Sequence, residues 1–465
     1  MVTANALIFD LETDGFLAEV SKIHCLNMID RTTGKRLRFT DYETYSDGTL
    51  VKAAGSLAQG IERLTSAPCI AGQNIISYDL PVLEKLYGFR YDGPVFDTLI
   101  ASRVIWPNMV DVDFGLLRSG KLPPEFQQKG YIGQHRLAAW GYRLGMHKGD
   151  FDPKDYGFTW ATVPFLKEMD DYCAQDCEVT LKWIEKIESK GYSPECLALE
   201  MRVAQIISQQ ERNGFTFDVA AAEKLYAQLV ARKADLDGAV CAAFPPWEVK
   251  LPDFIPKRPN KKLGYVAGVP VPRSKIEVFN PGSRHHIADR LKNKYGWEPI
   301  EFTPNGTAKI DEAVLGALPY PEAKLLAEYL LVTKYAGQVG DGDKAWLKLE
   351  KNGRIHGRVN SNGAVTGRMT HSDPNVAQVP KVGSPYGKEC RSLFTASAGR
   401  VMVGCDAEGL ELRMLAHYMA AWDNGGYASS VVEGKKEDET DVHNVNKRAA
   451  GLNSRDSAKT FISKG

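Results

Sequence analysis

The sequence predicts an α/β protein, and its 465 residues leave room for about three domains. Three stretches carry that prediction. The run Ala6 to Phe9 is apolar and passes into period-two alternation, the pattern of a buried strand. After Gly191 apolar residues recur at helical spacing. From about Glu350 short strand-like pieces alternate with Gly, Asn and Ser turn signals. The expected divisions are residues 1–190, 191–350 and 351–465.

Hydrophobic residues make up 43% and charged residues 25% of the chain, which places it with folded globular proteins. The formal net charge is zero, so any affinity for a polyanion must come from local patches. No apolar run is long enough for a membrane span, and MVTANALIFDLETDG lacks a basic region followed by a signal-like core, so a cytoplasmic protein is expected. The cysteines at 25, 69, 173, 177, 196, 241, 390 and 405 are scattered. Cys173 and Cys177 have no second pair to complete a zinc site, and all are expected to be reduced.

Alternation along the first strand puts Asp10 and Glu12 on one face, with Leu11 opposite. Adjacent carboxylates repel unless cations hold them, and a hard oxygen pair of this kind suits magnesium or manganese. A lone Asp-x-Glu is more often a solvated strand end, so other acids must converge on it. In APCIAGQNIISYDLPVLEKLYGF an apolar strand runs into Gly72 and Asn74, and Asp79 then opens a helix with Pro81 in its first turn. By itself Asp79 reads as a helix cap, worth about 1 kcal/mol. The stretch FLKEMDDYCAQDCEVTLKWIEKI reads as a helix with Tyr172 and Asp176 at i and i+4, which alone would be a polar surface.

Taken in order, FDLET, N-x-x-x-YD and Y-x-x-x-D resemble the three exonuclease motifs of the proofreading domain found in DNA polymerases. That resemblance implies an RNase H-like fold in which Asp10, Glu12, Asp79 and Asp176 hold two Mg2+ ions and Tyr172 helps to position the attacking water. The chemistry suits the residue types, because phosphodiester hydrolysis at neutral pH needs an activated water and a cation on the leaving oxygen. A stand-alone RNA-trimming exonuclease of the same fold would use the same acids.

The helical stretch after Gly191 breaks at Asn213-Gly214 and restarts near Asp218, which suit a helix end and an N-cap. ERNGFTFD resembles the connection that follows the exonuclease domain in family A DNA polymerases, where long helices then form a thumb around duplex DNA. Residues 245–284 are expected to be a Pro/Lys-rich loop, since the prolines exclude a continuous helix. Lys250, Lys257, Arg258, Lys261, Lys262, Arg273 and Lys275 make it a local nucleic-acid patch or simply a solvated loop.

Arg354, Arg358 and Arg368 lie among the turn-rich pieces that follow. TGRMTHSDPNVAQVP resembles a family A segment whose arginine and glutamine face primer and template, which makes Arg368 and Gln378 candidates for DNA contacts. An apolar strand, Val401 to Cys405, should deliver Asp406 to an amphipathic helix that buries Leu412, Leu415 and Ala416. DAEGLELR resembles the family's first palm motif, D-Y-S-x-I-E-L-R, although Ala407 and Glu408 depart from it. The resemblance implies that Asp406 is a catalytic metal ligand and that Glu411 lies at the sugar of the incoming nucleotide. It also puts His443, Arg455 and Lys459 in the fingers, where cations at i and i+4 neutralise triphosphate charge.

FGLLRSGKLP, AAWGYRLG, YVAGVPVP, VFNPGSR, SPYGKECRSLF and RDSAKTFI are similar to replicative polymerases of short-tailed (podovirus) phages. Some members recruit thioredoxin through a long thumb insertion, whereas the matching Pro- and Lys-rich segment is short here and argues against that partner. RDSAKTFISKG ends before the family's tyrosine and glycine, and no H-D-E motif follows. The expectation is a protein truncated within the fingers, with an incomplete palm and polymerase metal site, an unpaired strand edge and little nucleotide incorporation alone. A second chain could supply the missing palm, or the protein could be a non-catalytic DNA-binding remnant. The expected partners are primer-template DNA, single-stranded DNA and, once completed, deoxynucleoside triphosphates in an infected bacterial cell.

Overall fold

The computed structural model describes residues 2–303, 305–407 and 409–464; the expectation at Glu408 and the terminal Gly465 lie outside them. The chain divides into two compact units, residues 1–395 and 396–465. Among the described residues no helix is long and apolar enough to cross a membrane.

The first unit opens with a five-stranded sheet in the order β3-β2-β1-β4-β5. Its strands are β1 (Leu7–Thr13), β2 (Ile23–Asp30), β3 (Arg36–Phe39), β4 (Ile70–Gly72) and β5 (Val95–Asp97). β1 runs antiparallel to β2 and parallel to β4, which is itself parallel to β5. Lying centrally, β1 is apolar on both sides, with Ile8 and Phe9 fully buried, so its acids stand out against a dry wall. The Lys167–Glu188 helix packs over β1 and β2. It buries Cys173, Cys177, Val179, Trp183 and Ile184, a helical repeat that matches the expectation for this stretch. Trp183 stacks on Trp140 at 4.9 Å, and Trp140 meets Trp106 at 4.7 Å, which clamps the Leu137–Leu144 helix beside it.

The Pro194–Asn213 helix ends at Gly214, which has φ of 60°, as its sequence signal requires. After β6 (Phe215–Phe217), Asp218 caps the Val219–Ala243 helix by accepting the Ala221 N–H at 2.9 Å. This helix packs on Pro321–Ala336 around Leu225, Leu229, Val332 and Trp346.

Residues 245–284 correct one expectation. Their flanks form an antiparallel ribbon, β7 (Trp247–Phe254) with β8 (Val271–Glu277), and only residues 255–270 between the strands are loop. Pro252 sits where the register slips between Leu251 and Phe254, a position at which the missing N–H costs no ladder bond.

A second sheet, in the order β13-β6-β10-β9, unites β9 (Glu350–Lys351), β10 (Arg354–Ile355) and β13 (Phe394–Thr395) with β6. Asn352 and Gly353 make the tight turn between β9 and β10. Arg354 donates to Asn213 O at 2.6 Å, Gly214 O at 2.9 Å and Thr216 Oγ1 at 3.1 Å. Residues on both sides of position 350 therefore share one sheet. Beyond it, β11 (Arg358–Asn360) and β12 (Thr370–Ser372) form a separate hairpin.

In the second unit the expected strand Val401–Cys405 is not formed; Val401 and Val403 are more than four-fifths exposed. Apolar character alone does not make a strand, and no described residue offers this stretch a ladder. The Leu410–Asp423 helix forms as expected, but Leu415 is exposed where burial was predicted, while Ala416 is buried. The helices Val442–Ala449 and Arg455–Lys464 pack on each other.

Candidate active site

Asp10 and Glu12 project from β1, Asp79 is the first residue of the Asp79–Tyr87 helix, and Asp176 lies on the Lys167–Glu188 helix above the sheet. The fold brings these four together. Glu12, Asp79 and Asp176 are 7%, 4% and 4% exposed, and Asp10 is half-buried. Burial, followed by repulsion from Asp176, Asp79 and Glu12, raises Asp10 well above the usual carboxylate range. Glu12 is pushed up to about 8, by burial first and then by Asp176. Burial also pushes Asp79 up to about 7, with Asp97 adding to the effect. Asp176 is raised by burial too, against the opposing pull of Lys148. Four acids whose ionised forms disfavour one another in a dry site favour a cation by charge.

The capping role open to Asp79 is not the one it takes. Tyr78 occupies the N-cap position without a side-chain cap bond, and Asp79 is buried inside the first turn. Asp97, at the end of β5, shapes the turn that delivers it. Its Oδ1 accepts the N–H groups of Asn74 and Leu99, each at 2.9 Å, and its Oδ2 accepts that of Ile76 at 3.1 Å. At the other end of β1, Tyr78 contacts the Thr13 hydroxyl and donates to Gly15 O at 2.6 Å.

Tyr172 and Asp176 share one helical face, and Lys148 meets both: its ammonium pairs with Asp176 Oδ2 and lies 4.3 Å from the Tyr172 ring centroid. Phe151 flanks the same ring at 5.9 Å. Lys148 lowers Asp10, Glu12 and Asp176 alike. The other Asp176 oxygen, Oδ1, is buried and has no hydrogen-bond partner among the described residues. Carboxylate oxygens of Asp10 and Glu12 and the Cys173 sulfur lie within 4.8 Å of one another, with the Cys173 thiol donating to the Asp10 carbonyl at 3.3 Å. An orphaned buried carboxylate oxygen amid hard oxygen donors fits a divalent cation such as Mg2+ or Mn2+.

Lys148 and Asp97 are the residues that motif reading missed. VFDTLIASRVI does carry an N-cap signal at Asp97. MHKGD carries no periodicity that would mark Lys148.

The remaining expected residues are placed as follows. Arg368 is exposed between β11 and β12, and Gln378 is exposed in a short 3-10 turn, its carbonyl accepting from Gln338 Nε2 at 3.3 Å. In the second unit Asp406 is exposed, and Glu411 lies exposed in the first turn of Leu410–Asp423. Arg455 donates to Asp441 Oδ1 at 3.1 Å, and Asp441 in turn accepts the His443 N–H at 3.1 Å. Burial first, then Arg455 and Lys459, hold the His443 ring below its usual value. The structure thus gathers His443, Arg455 and Lys459 around two packed helices.

Comparison with known proteins supplies the family. Residues 272–444 match the profile of DNA polymerase family A. The DNA-directed DNA polymerase of Enterobacteria phage T3 is 37% identical in an alignment covering 98% of this chain and 74% of the relative. That of Escherichia phage T7 is 36% identical with the same coverage. Among solved structures, the POL domain of Pol1 from M. smegmatis, in complex with DNA primer-template and dNTP, superposes with a TM-score of 0.61 at 14% identity, over 98% of this chain and 66% of that one. With relatives of this identity along nearly its whole length, the chain belongs to DNA polymerase family A and falls with the polymerases of phages T3 and T7.

Proposed function

We propose that the chain is a phage replicative DNA polymerase polypeptide whose first unit carries an RNase H-like, Mg2+-dependent 3′ to 5′ proofreading exonuclease. The observation that carries this reading is the convergence of half-buried Asp10 with buried Glu12, Asp79 and Asp176, where one Asp176 oxygen has no hydrogen-bond partner among the described residues. Asp10, Glu12, Asp79 and Asp176 would hold two divalent ions, which supply an activated water and a cation for the leaving oxygen. The chain's own residues do the rest. The dry wall of β1 keeps bulk water from the acids, Asp97 fixes the turn that aims Asp79, and Tyr172 orients the attacking water through its hydroxyl.

The region from β11 onward supports the polymerase half of the reading. Arg368 and Gln378 stand exposed where a primer-template could meet them, and Asp406 with Glu411 would serve the nucleotide and its metal. Arg455 and Lys459 would take the triphosphate, with Asp441 holding Arg455 in place beforehand. Two assays test the proposal. A 5′-labelled single strand should shorten from its 3′ end with Mg2+ and stay intact in EDTA. Any templated incorporation on a primer should fall by more than about 100-fold in Asp406→Ala. A strand that shortens equally in EDTA would overturn the exonuclease reading.

A further inference from the structure

Lys148 reaches the acid cluster from outside every motif, and contacts of its neighbours hold the loop that carries it. Gln175, next to Asp176 on the helix, donates to His147 O at 2.9 Å. The His147 ring meets Tyr142 edge-on at 4.5 Å. Gly141 lets the chain fold back so closely that a β-carbon there would lie 2.9 Å from Met146 O and 3.1 Å from the Lys148 nitrogen. From this anchored position the Lys148 ammonium takes Asp176 Oδ2 and lies against the face of Tyr172. Asp176 Oδ1 remains buried and without a hydrogen-bond partner among the described residues. An aspartate with one oxygen held and one open has a fixed orientation toward the other acids.

We propose that Lys148 is a positioning residue of this site: it fixes the Asp176 carboxylate and the Tyr172 ring so that Asp176 Oδ1 is presented to a divalent cation and the tyrosine hydroxyl to the reacting water. The proposal rests on the exonuclease reading and extends it to a residue that no motif marks. Lys148 does not hold the DNA, so its loss acts through Asp176.

The test uses the full chain as wild type, Lys148→Met, Lys148→Arg and Asp176→Asn, together with the Lys148→Met/Asp176→Asn pair. Mn2+ affinity is measured by spin-resonance titration without DNA, and excision of a single strand is measured in parallel. Lys148→Met should weaken Mn2+ binding by about 10-fold and lower kcat by about 10–100-fold, the usual cost of losing an outer-shell partner, with KM for DNA within about twofold. Lys148→Arg should recover most of both. In the Asp176→Asn background Lys148→Met should add less than about a twofold loss, because the residue it acts through is gone. Unchanged or tighter Mn2+ binding in Lys148→Met would overturn the proposal, as would a raised KM with kcat intact, the mark of a lysine that binds phosphate. An equal further loss in the Asp176→Asn background would also overturn it. If the wild type excises nothing, the exonuclease reading fails, and the Mn2+ titration still decides the role of Lys148.

Discussion

At Glu12 and Asp79 the fold holds carboxyl groups where burial favours the neutral form, pushed up to about 8 and about 7. Between the ordinary glutamate value of 4.5 and these raised values, the folded chain keeps protons that the unfolded chain has released. The stability that these acids contribute without metal is therefore full below about pH 4.5 and is lost as pH rises to about 8. Melting in EDTA should decline over that window, and Mg2+ should offset the decline. Glu12→Gln, neutral throughout, should flatten the profile and raise the metal-free melting temperature at pH 8. Metal-free melting that rises with pH would contradict this account. The acids were legible in the sequence through the resemblance of FDLET, N-x-x-x-YD and Y-x-x-x-D to exonuclease motifs; alternation and i, i+4 spacing fix only which of them share a face. Lys148 was not, because an ammonium held by loop packing leaves no period in the chain.

The Lys167–Glu188 helix is the element that aligns the site, and Asp170 fastens it to the sheet. Asp170, 1% exposed, accepts Asn27 Nδ2 at 2.9 Å, Arg38 at 2.8 Å and the Tyr45 hydroxyl at 2.7 Å. Asp170→Ala would strand those donors and should cost about 3–5 kcal/mol, with excision falling as Tyr172 and Asp176 shift. Asp171→Ala, which breaks pairs of more exposed groups with Arg38 and Lys167, should cost about 0–1 kcal/mol. Equal losses for the two variants, read from denaturant unfolding, would contradict the assigned anchor. Elements whose local signals agreed with their surroundings matched expectation, as at Gly214 and Asp218. Two others did not. Prolines within residues 245–284 argued for a loop, yet a register slip accommodates Pro252 in a ribbon, and Val401–Cys405 is apolar but unpaired in the described structure. Strand pairing depends on partners distant in sequence, which local composition does not specify.

Across the whole molecule the proposed exonuclease residues all lie in the first unit, whereas Asp406, Glu411, His443, Arg455 and Lys459 lie in the second. The stretch from Val401 to Ala407 is exposed and outside helix and strand, so limited proteolysis should cut there first. Such a cut should leave a large fragment that keeps Mg2+-dependent excision; loss of excision on this cut would contradict the separation of sites. Asp10, Glu12, Asp79 and Asp176 are proposed to form a metal-dependent nuclease centre. That assignment is tested most directly by comparing the wild type with Asp10→Ala/Glu12→Ala on a 5′-labelled single strand, with melting followed in parallel. The prediction is stepwise shortening from the 3′ end in Mg2+ for the wild type and a loss of more than about 100-fold in a variant that still folds. Excision at the wild-type rate by the folded double variant would contradict it.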